Sequence, residues 1–198
     1  MKFTTYTTFP EQTSNESLWI LVDSEQLQSN LNTYQINNLE SILTATQFKA
    51  NFNETLPLFG QLSTQPHSQL LGLGKAAELQ AAKLAKLAQT IIKSAQNKFK
   101  HIAIDIAALP VEYHYLFALS LTQAAYGYDE FKSKKNEFVL QQVDLISSQT
   151  SLDENQLALV HAVQSGQSYA RDLGNRPGNI CFPEYLAEQA LALAAEFP

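Results

Sequence analysis

The chain has one cysteine, Cys181, in 198 residues. No internal disulfide is possible, and this thiol usage fits a reducing compartment. No apolar run approaches the ~20 residues that a membrane helix needs. The N-terminal MKFTTYTTFPEQTSNESLW also lacks an apolar core of signal-peptide length. These absences predict a soluble cytoplasmic protein with no membrane partner. Cations are scarce as well: 13 Lys and Arg stand against 19 Asp and Glu, for a net charge of −6. Such a surface disfavours nonspecific nucleic-acid binding, because phosphates need clustered cations; a local basic patch is still allowed. The four histidines are His67, His101, His114 and His161, and no two have the i, i+4 spacing of a helical zinc pair. His114 is expected to be packed and His101, just before a strand, exposed. Ser165-Gly166 lacks the G-x-S-x-G context of a nucleophile elbow. No catalytic, cofactor-binding or metal-binding residue is assigned in this chain.

What is present is an ordinary globular composition, 45% apolar and 16% charged, sufficient for a sizeable core. KFTTYTTF (2–9) alternates as a strand does, and Pro10 with EQTSNES breaks it. LWILV (18–22) is a short continuous apolar run, as in a strand buried on both faces. Between Gln26 and Ala50 the spacing predicts one or two short helices. TLPLFGQLST predicts a strand or hairpin around Leu58 and Phe59, and SQLLGLG (68–74) a further strand. KAAELQAAKLAKLAQTIIKSAQNK (75–98) is a clear amphipathic helix: Leu84, Leu87, Ala88, Ile91 and Ala95 face one way, Lys83, Lys86 and Lys93 the other. HIAIDIAAL (101–109) predicts a strand. EYHYLFALSLTQAAYG (112–127) predicts a helix stopped by Gly127. EFVLQQVDLIS (137–147) predicts another strand. Ser151 and Glu154 have capping-box spacing ahead of a long helix over 152–173. The alternation implies a three-layer α/β fold, a mixed or largely parallel sheet flanked by helices, followed by a long linking helix. The domain boundary is placed in the polar SSQTSLDE stretch, giving an N-terminal domain over 1–150 and a second segment over 151–198.

Three features invite a functional reading, and each has a plainer one. LLGLGK follows a strand and opens a helix, where glycines let amides approach a phosphate. It is neither a full G-x-G-x-x-G nor a G-x-x-x-x-G-K-[ST], and a tight turn needing positive φ explains it equally. Between Lys75 and Lys100 lie six of the chain's 13 cations and one acid, Glu78. A phosphate-binding helix is one explanation, but no arginine interleaves on it to read bases, so a solvated outer face is favoured. Asp105, inside IAIDIAAL, must face solvent, cap a helix or be paired.

The closing ARDLGNRPGNICFPEYLAEQA resembles the entry into the catalytic domain of the cytosol (leucyl) aminopeptidase family, with the pattern A-[RK]-D-L-x-N-x-P-x-N-x-x-x-P-x-x-L-A. The matching positions are Ala170, Arg171, Asp172, Leu173, Asn175, Pro177, Asn179, Pro183, Leu186 and Ala187. LLGLGKAAEL (70–79) and YGYDEFKSKK (126–135) resemble weaker family segments in the expected order. Arg176 and Gly178 depart from the pattern and receive no role. The resemblance implies a macro-domain-like α/β unit joined by a long helix to a larger catalytic domain. It also implies a hexameric exopeptidase, often acting on N-terminal leucine of peptides, with two divalent metals (zinc or manganese) that activate a water and polarise the carbonyl. The family's V-G-K-G, T-F-D-S-G-G and N-T-D-A-E-G-R motifs do not occur here. The expectation is therefore the noncatalytic N-terminal region of a longer enzyme, truncated in the catalytic domain and inactive alone. A terminal helix with Leu186, Ala190, Leu193 and Phe197 on one face would lack its partner. The resemblance also implies two other readings: an ADP-ribose-binding module, with the GLGK turn as its motivating feature, and a DNA-binding domain through the Lys75–Lys100 helix.

Overall fold

The computed structural model describes residues 1–8, 15–62, 65, 67–135, 137–149 and 152–197. In chain order the elements are β1 (Lys2–Tyr6), β2 (Ser17–Asp23), α1 (Leu27–Leu31), α2 (Leu39–Thr46), β3 (Thr55–Pro57), β4 (Ser68–Gly74), α3 (Ala81–Ala95), β5 (His101–Asp105), α4 (His114–Ala125), β6 (Gln142–Ile146), α5 (Glu154–Asn175) and α6 (Pro183–Glu196). Among the described residues the strands form one sheet in the order β1-β6-β5-β2-β4-β3. All neighbours are parallel except β3, which runs antiparallel on the β4 edge. This is the expected three-layer α/β architecture with a long helix after it.

Burial explains the sheet. Every residue of β2 is buried, so its LWILV run needs no polar alternation. Trp19 and Leu21 point into one core with Ile102 and Ile104, packed by Leu84, Leu87, Ile91 and Phe117 of α3 and α4. Leu18, Ile20 and Val22 point into the other, with Leu31, Ile36, Phe48 and Leu70. The connection leaving β2 therefore covers one face, and the connections leaving β4 and β5 cover the opposite face.

Several boundaries differ from the sequence pattern for local reasons. β1 ends at Tyr6; Phe9, Pro10 and the following residues to 14 lie outside the described residues. The 75–98 segment is broken. Ala76–Glu78 form a 3-10 turn, and Leu79 and Gln80 are extended before α3 begins. The break lets Leu79 bury its side chain, 5% exposed, in the α3 core. The hairpin segment pairs at Thr55–Pro57, while Leu58 is buried and Phe59 is exposed. β5 stops at Asp105, and β6 starts only at Gln142, because the Val139 and Leu140 amides donate to the Gln96 carbonyl instead of a strand. Gly127 is not the helix stop in a left-handed conformation: Tyr126 ends α4 with extended backbone. Asp153 and Gln156 form the capping box of α5, displacing the box expected at 151 and 154; Ser151 lies outside the described residues. His101 is half-buried, not exposed, and its Nε2 lies 3.0 Å from the Asp144 carboxylate.

Candidate functional site

The GLGK turn is built by close approach. Gly74 has φ +70°, as a tight turn leaving β4 demands. Gly72 packs against the 50–54 turn, exchanging hydrogen bonds with Glu54 and Asn53 at 2.8 Å. The position open to an anion is taken by Asp23, at the end of β2. Its Oδ1 accepts from the Glu25 amide at 3.0 Å and the Ala76 amide at 3.3 Å. Lys75 pairs with Glu25 and Glu78 at 3.4 and 3.3 Å. The turn is satisfied from within, and a phosphate there would meet the Asp23 charge. The structure thus favours the tight-turn reading of these glycines and lends the ADP-ribose reading no site.

The basic segment behaves as an outer face. Leu84, Leu87, Ala88, Ile91 and Ala95 are buried, as their spacing predicts, and Lys86 and Lys93 are exposed opposite them. Lys83 lies over the Phe52 ring at 5.2 Å, so part of its charge is spent on an internal contact.

The histidines are dispersed. His67 is exposed beside Phe59 and Phe99. His114 is buried, as expected, with Nε2 3.0 Å from the Leu109 carbonyl. His161 tilts against Phe3. Among the described residues no group of three or more His, Cys, Asp or Glu side chains could hold a metal ion. The donor set present does not fit a metal pair.

Asp105 lies at the carboxyl end of β5, paired through the backbone with Ile20 of β2. Its carboxylate accepts from the Tyr34 hydroxyl and, at 2.7 Å, from the Ala107 amide. Burial pushes the Asp105 carboxyl above its ordinary range, against the two hydrogen bonds, which lower it. Tyr34 is raised too, first by burial and then by the neighbouring Asp105 charge. The pair opens onto a cavity of about 260 Å³ with Gln26, Asn30 and Gln149 among its walls. Sequence reasoning singled out Asp105 but not Tyr34, which sits between two weak helices with no pattern of its own.

The second polar constellation joins α5 to the loop after α4. The Tyr126 hydroxyl donates to Asp172 at 2.7 Å and accepts from the Asn175 side-chain amide at 3.0 Å. The Arg171 guanidinium stacks on the Tyr126 ring at 3.7 Å. One turn further, Arg176 grips Glu130 through Nε and Nη2 at 3.0 and 3.3 Å and contacts the Tyr185 hydroxyl of α6. The hydrogen bonds from Arg176, with its charge behind them, hold Glu130 below the usual carboxylate range. The ARDLGN segment and the YGYDEF segment, far apart in sequence, are thus one latch. Arg176, given no role from the sequence, is its outer half.

A mostly parallel sheet covered by helices on both faces, with a long helix latched to the loop after α4, defines a three-layer α/β domain. The sequence model described as the cytosol aminopeptidase family, N-terminal domain, matches residues 20–135, and the chain belongs to that family. A probable cytosol aminopeptidase of Acinetobacter baylyi is 59% identical over 198 residues, all of this chain and 41% of that protein. A mutant tomato leucine aminopeptidase superposes with a TM-score of 0.76 at 21% identity, over 99% of this chain and 42% of its own. A manganese complex of the bottromycin maturation enzyme BotP has a TM-score of 0.68 at 17% identity, over 92% of this chain and 37% of its own. The chain spans about two fifths of the length of these relatives. No helix among the described residues is long and apolar enough to cross a membrane.

Proposed function

We propose that this chain is the noncatalytic N-terminal region of a cytoplasmic leucyl aminopeptidase, in which residues 1–150 form the α/β domain and residues 151–198 carry the linking helix into the catalytic domain. The parent enzyme would remove N-terminal residues, often leucine, from peptides as a hexamer with two divalent metals, zinc or manganese. Those metals would be held by residues of the catalytic domain; among the described residues no group of three or more His, Cys, Asp or Glu could hold one. The observation that carries the proposal is the latch. Arg171, Asp172 and Asn175, three positions of the family signature, converge on Tyr126. Their work in this region is to fix where α5 leaves the domain. By holding that helix, the domain orients whatever follows it and shapes access to the active site.

The test is hydrolysis of leucine p-nitroanilide with added manganese or zinc, comparing the 198-residue chain with the complete gene product. The chain alone is expected to be inactive and the complete product active. Metal-dependent turnover by the chain alone would overturn the noncatalytic assignment.

A further inference from the structure

The sheet carries a topological switch that the aminopeptidase reading does not use. β2 and β5 are adjacent and parallel. The chain leaving β2 packs on one face of the sheet, with Leu31 and Ile36, and the chain leaving β5 packs on the other, with Phe117 and Leu121. Parting connections open a crevice at the carboxyl ends of the strands, which is where open α/β sheets bind small ligands. The cavity of about 260 Å³ lies there, walled by Tyr34, Asp105, Gln26, Asn30 and Gln149 above Ile20 and Leu21.

The chemistry of the walls selects the ligand. No Lys, Arg or His lines the cavity among the described residues, and Asp105 is its one formal charge. A phosphate or carboxylate would enter uncompensated and meet a like charge. A divalent ion would find a single carboxylate, too few ligands. A carboxylate offers about four lone-pair positions, and Tyr34 and the Ala107 amide fill two of them. Those two bonds do not offset the burial of Asp105, whose carboxyl remains raised. Two lone-pair positions are left for a further donor, and a positive one would answer the carboxylate charge. Tyr34 and Gln149 place further oxygens around the same space, the Gln149 amide nitrogen being engaged by the Ala107 carbonyl at 3.0 Å.

We infer that this crevice binds a small organic cation, an alkylamine or alkylguanidine without an anionic group, with its charged head on Asp105 and Tyr34. Asp105 ends β5 and the Gly74 turn ends β4, the two strands that flank β2, and the site does not depend on the latch.

The experiment is amide NMR of the 198-residue chain titrated with agmatine, with ADP-ribose and free ribose in parallel. Agmatine is expected to move the Tyr34, Asp105 and Ala107 amides with a Kd on the order of 1 mM. D105N, which keeps shape and removes charge, is expected to weaken that binding at least about tenfold, since a charge-assisted bond is lost. D129N, a carboxylate change away from the cavity, is expected to leave it unchanged. No crevice shift at about 10 mM agmatine, equal shifts with ribose or ADP-ribose, or binding that survives D105N would each overturn the proposal.

Discussion

The Asp105 carboxyl binds its proton more tightly in the folded chain than in the unfolded one, because burial outweighs the bonds from Tyr34 and Ala107. The sign of the consequence follows. A carboxyl with a raised folded pKa contributes stability that is fully present below the unfolded pKa and is lost as pH rises through the folded one. Replacing the charge by an amide removes that loss. The urea midpoint of D105N should therefore gain on that of the parent chain as pH rises from about 4 to about 7. A difference that stays flat across that range would show that the Asp105 environment is not desolvated. Gly72 supplies a second test at this scale. A Cβ there would lie 2.6 Å from the Ala50 carbonyl oxygen and closer still to that of Asn51, both of them backbone atoms that cannot rotate away. Gly72→Ala should cost about 3 kcal/mol, at the upper end of overpacking changes. Gly74→Ala should cost about 1–2 kcal/mol for its left-handed φ, since the nearest atoms stand at an ordinary 3.4 Å. Chemical denaturation of both variants measures the ranking, and Gly74→Ala proving the worse would overturn it.

Among the elements, the latch is the feature whose removal should be felt at a distance. The Tyr126 hydroxyl serves Asp172 and Asn175 together. Tyr126→Phe should cost about 1 kcal/mol and speed amide exchange over the last turns of α5, leaving α3 unchanged. Combined with Asp172→Ala, the two losses should be less than additive, because each breaks the same bond. Strict additivity would show that the pair does not interact. Much of this level was legible in the sequence. β4 matches its predicted 68–74 span because Gln69 and Gly74 bound the apolar run 70–73. The buried side of α3 follows its 3.6-residue spacing residue by residue. The ends were less legible, since tertiary demands moved them: Leu79 leaves the helix to reach the core, and Val139 and Leu140 pair with Gln96 rather than with a strand. The crevice could not be read at all. It depends on β5 lying beside β2, although β3 and β4 intervene in the chain, and no local pattern encodes that neighbour. His101 was misplaced for the same reason, because its partner Asp144 comes from the next strand over.

For the molecule as a whole, the distribution of burial sets how its parts open. The core extends along α5 only to Val160, and α6 buries no residue. Leu186, Leu191, Leu193 and Phe197 of the closing segment are exposed, Leu191 to 72% and Phe197 to 68%. Pro183 at the first position of α6 favours its start, and Tyr169 holds it through the Gln189 side chain at 3.1 Å. Two or three polar contacts cannot replace an apolar interface, and a 14-residue helix is marginal by itself. Hydrogen exchange on the 198-residue chain should therefore find α6 among the fastest helical amides. α3 and α4, packed on the sheet through Leu87, Ile91 and Phe117, should exchange near the global limit. In the complete gene product the same α6 amides should slow by orders of magnitude, because the proposed catalytic domain would cover Leu186 and Leu193. Protection of α6 that is equal in the two proteins would mean that its apolar side meets nothing in the parent. The latch would then orient a free helix rather than the root of a second domain.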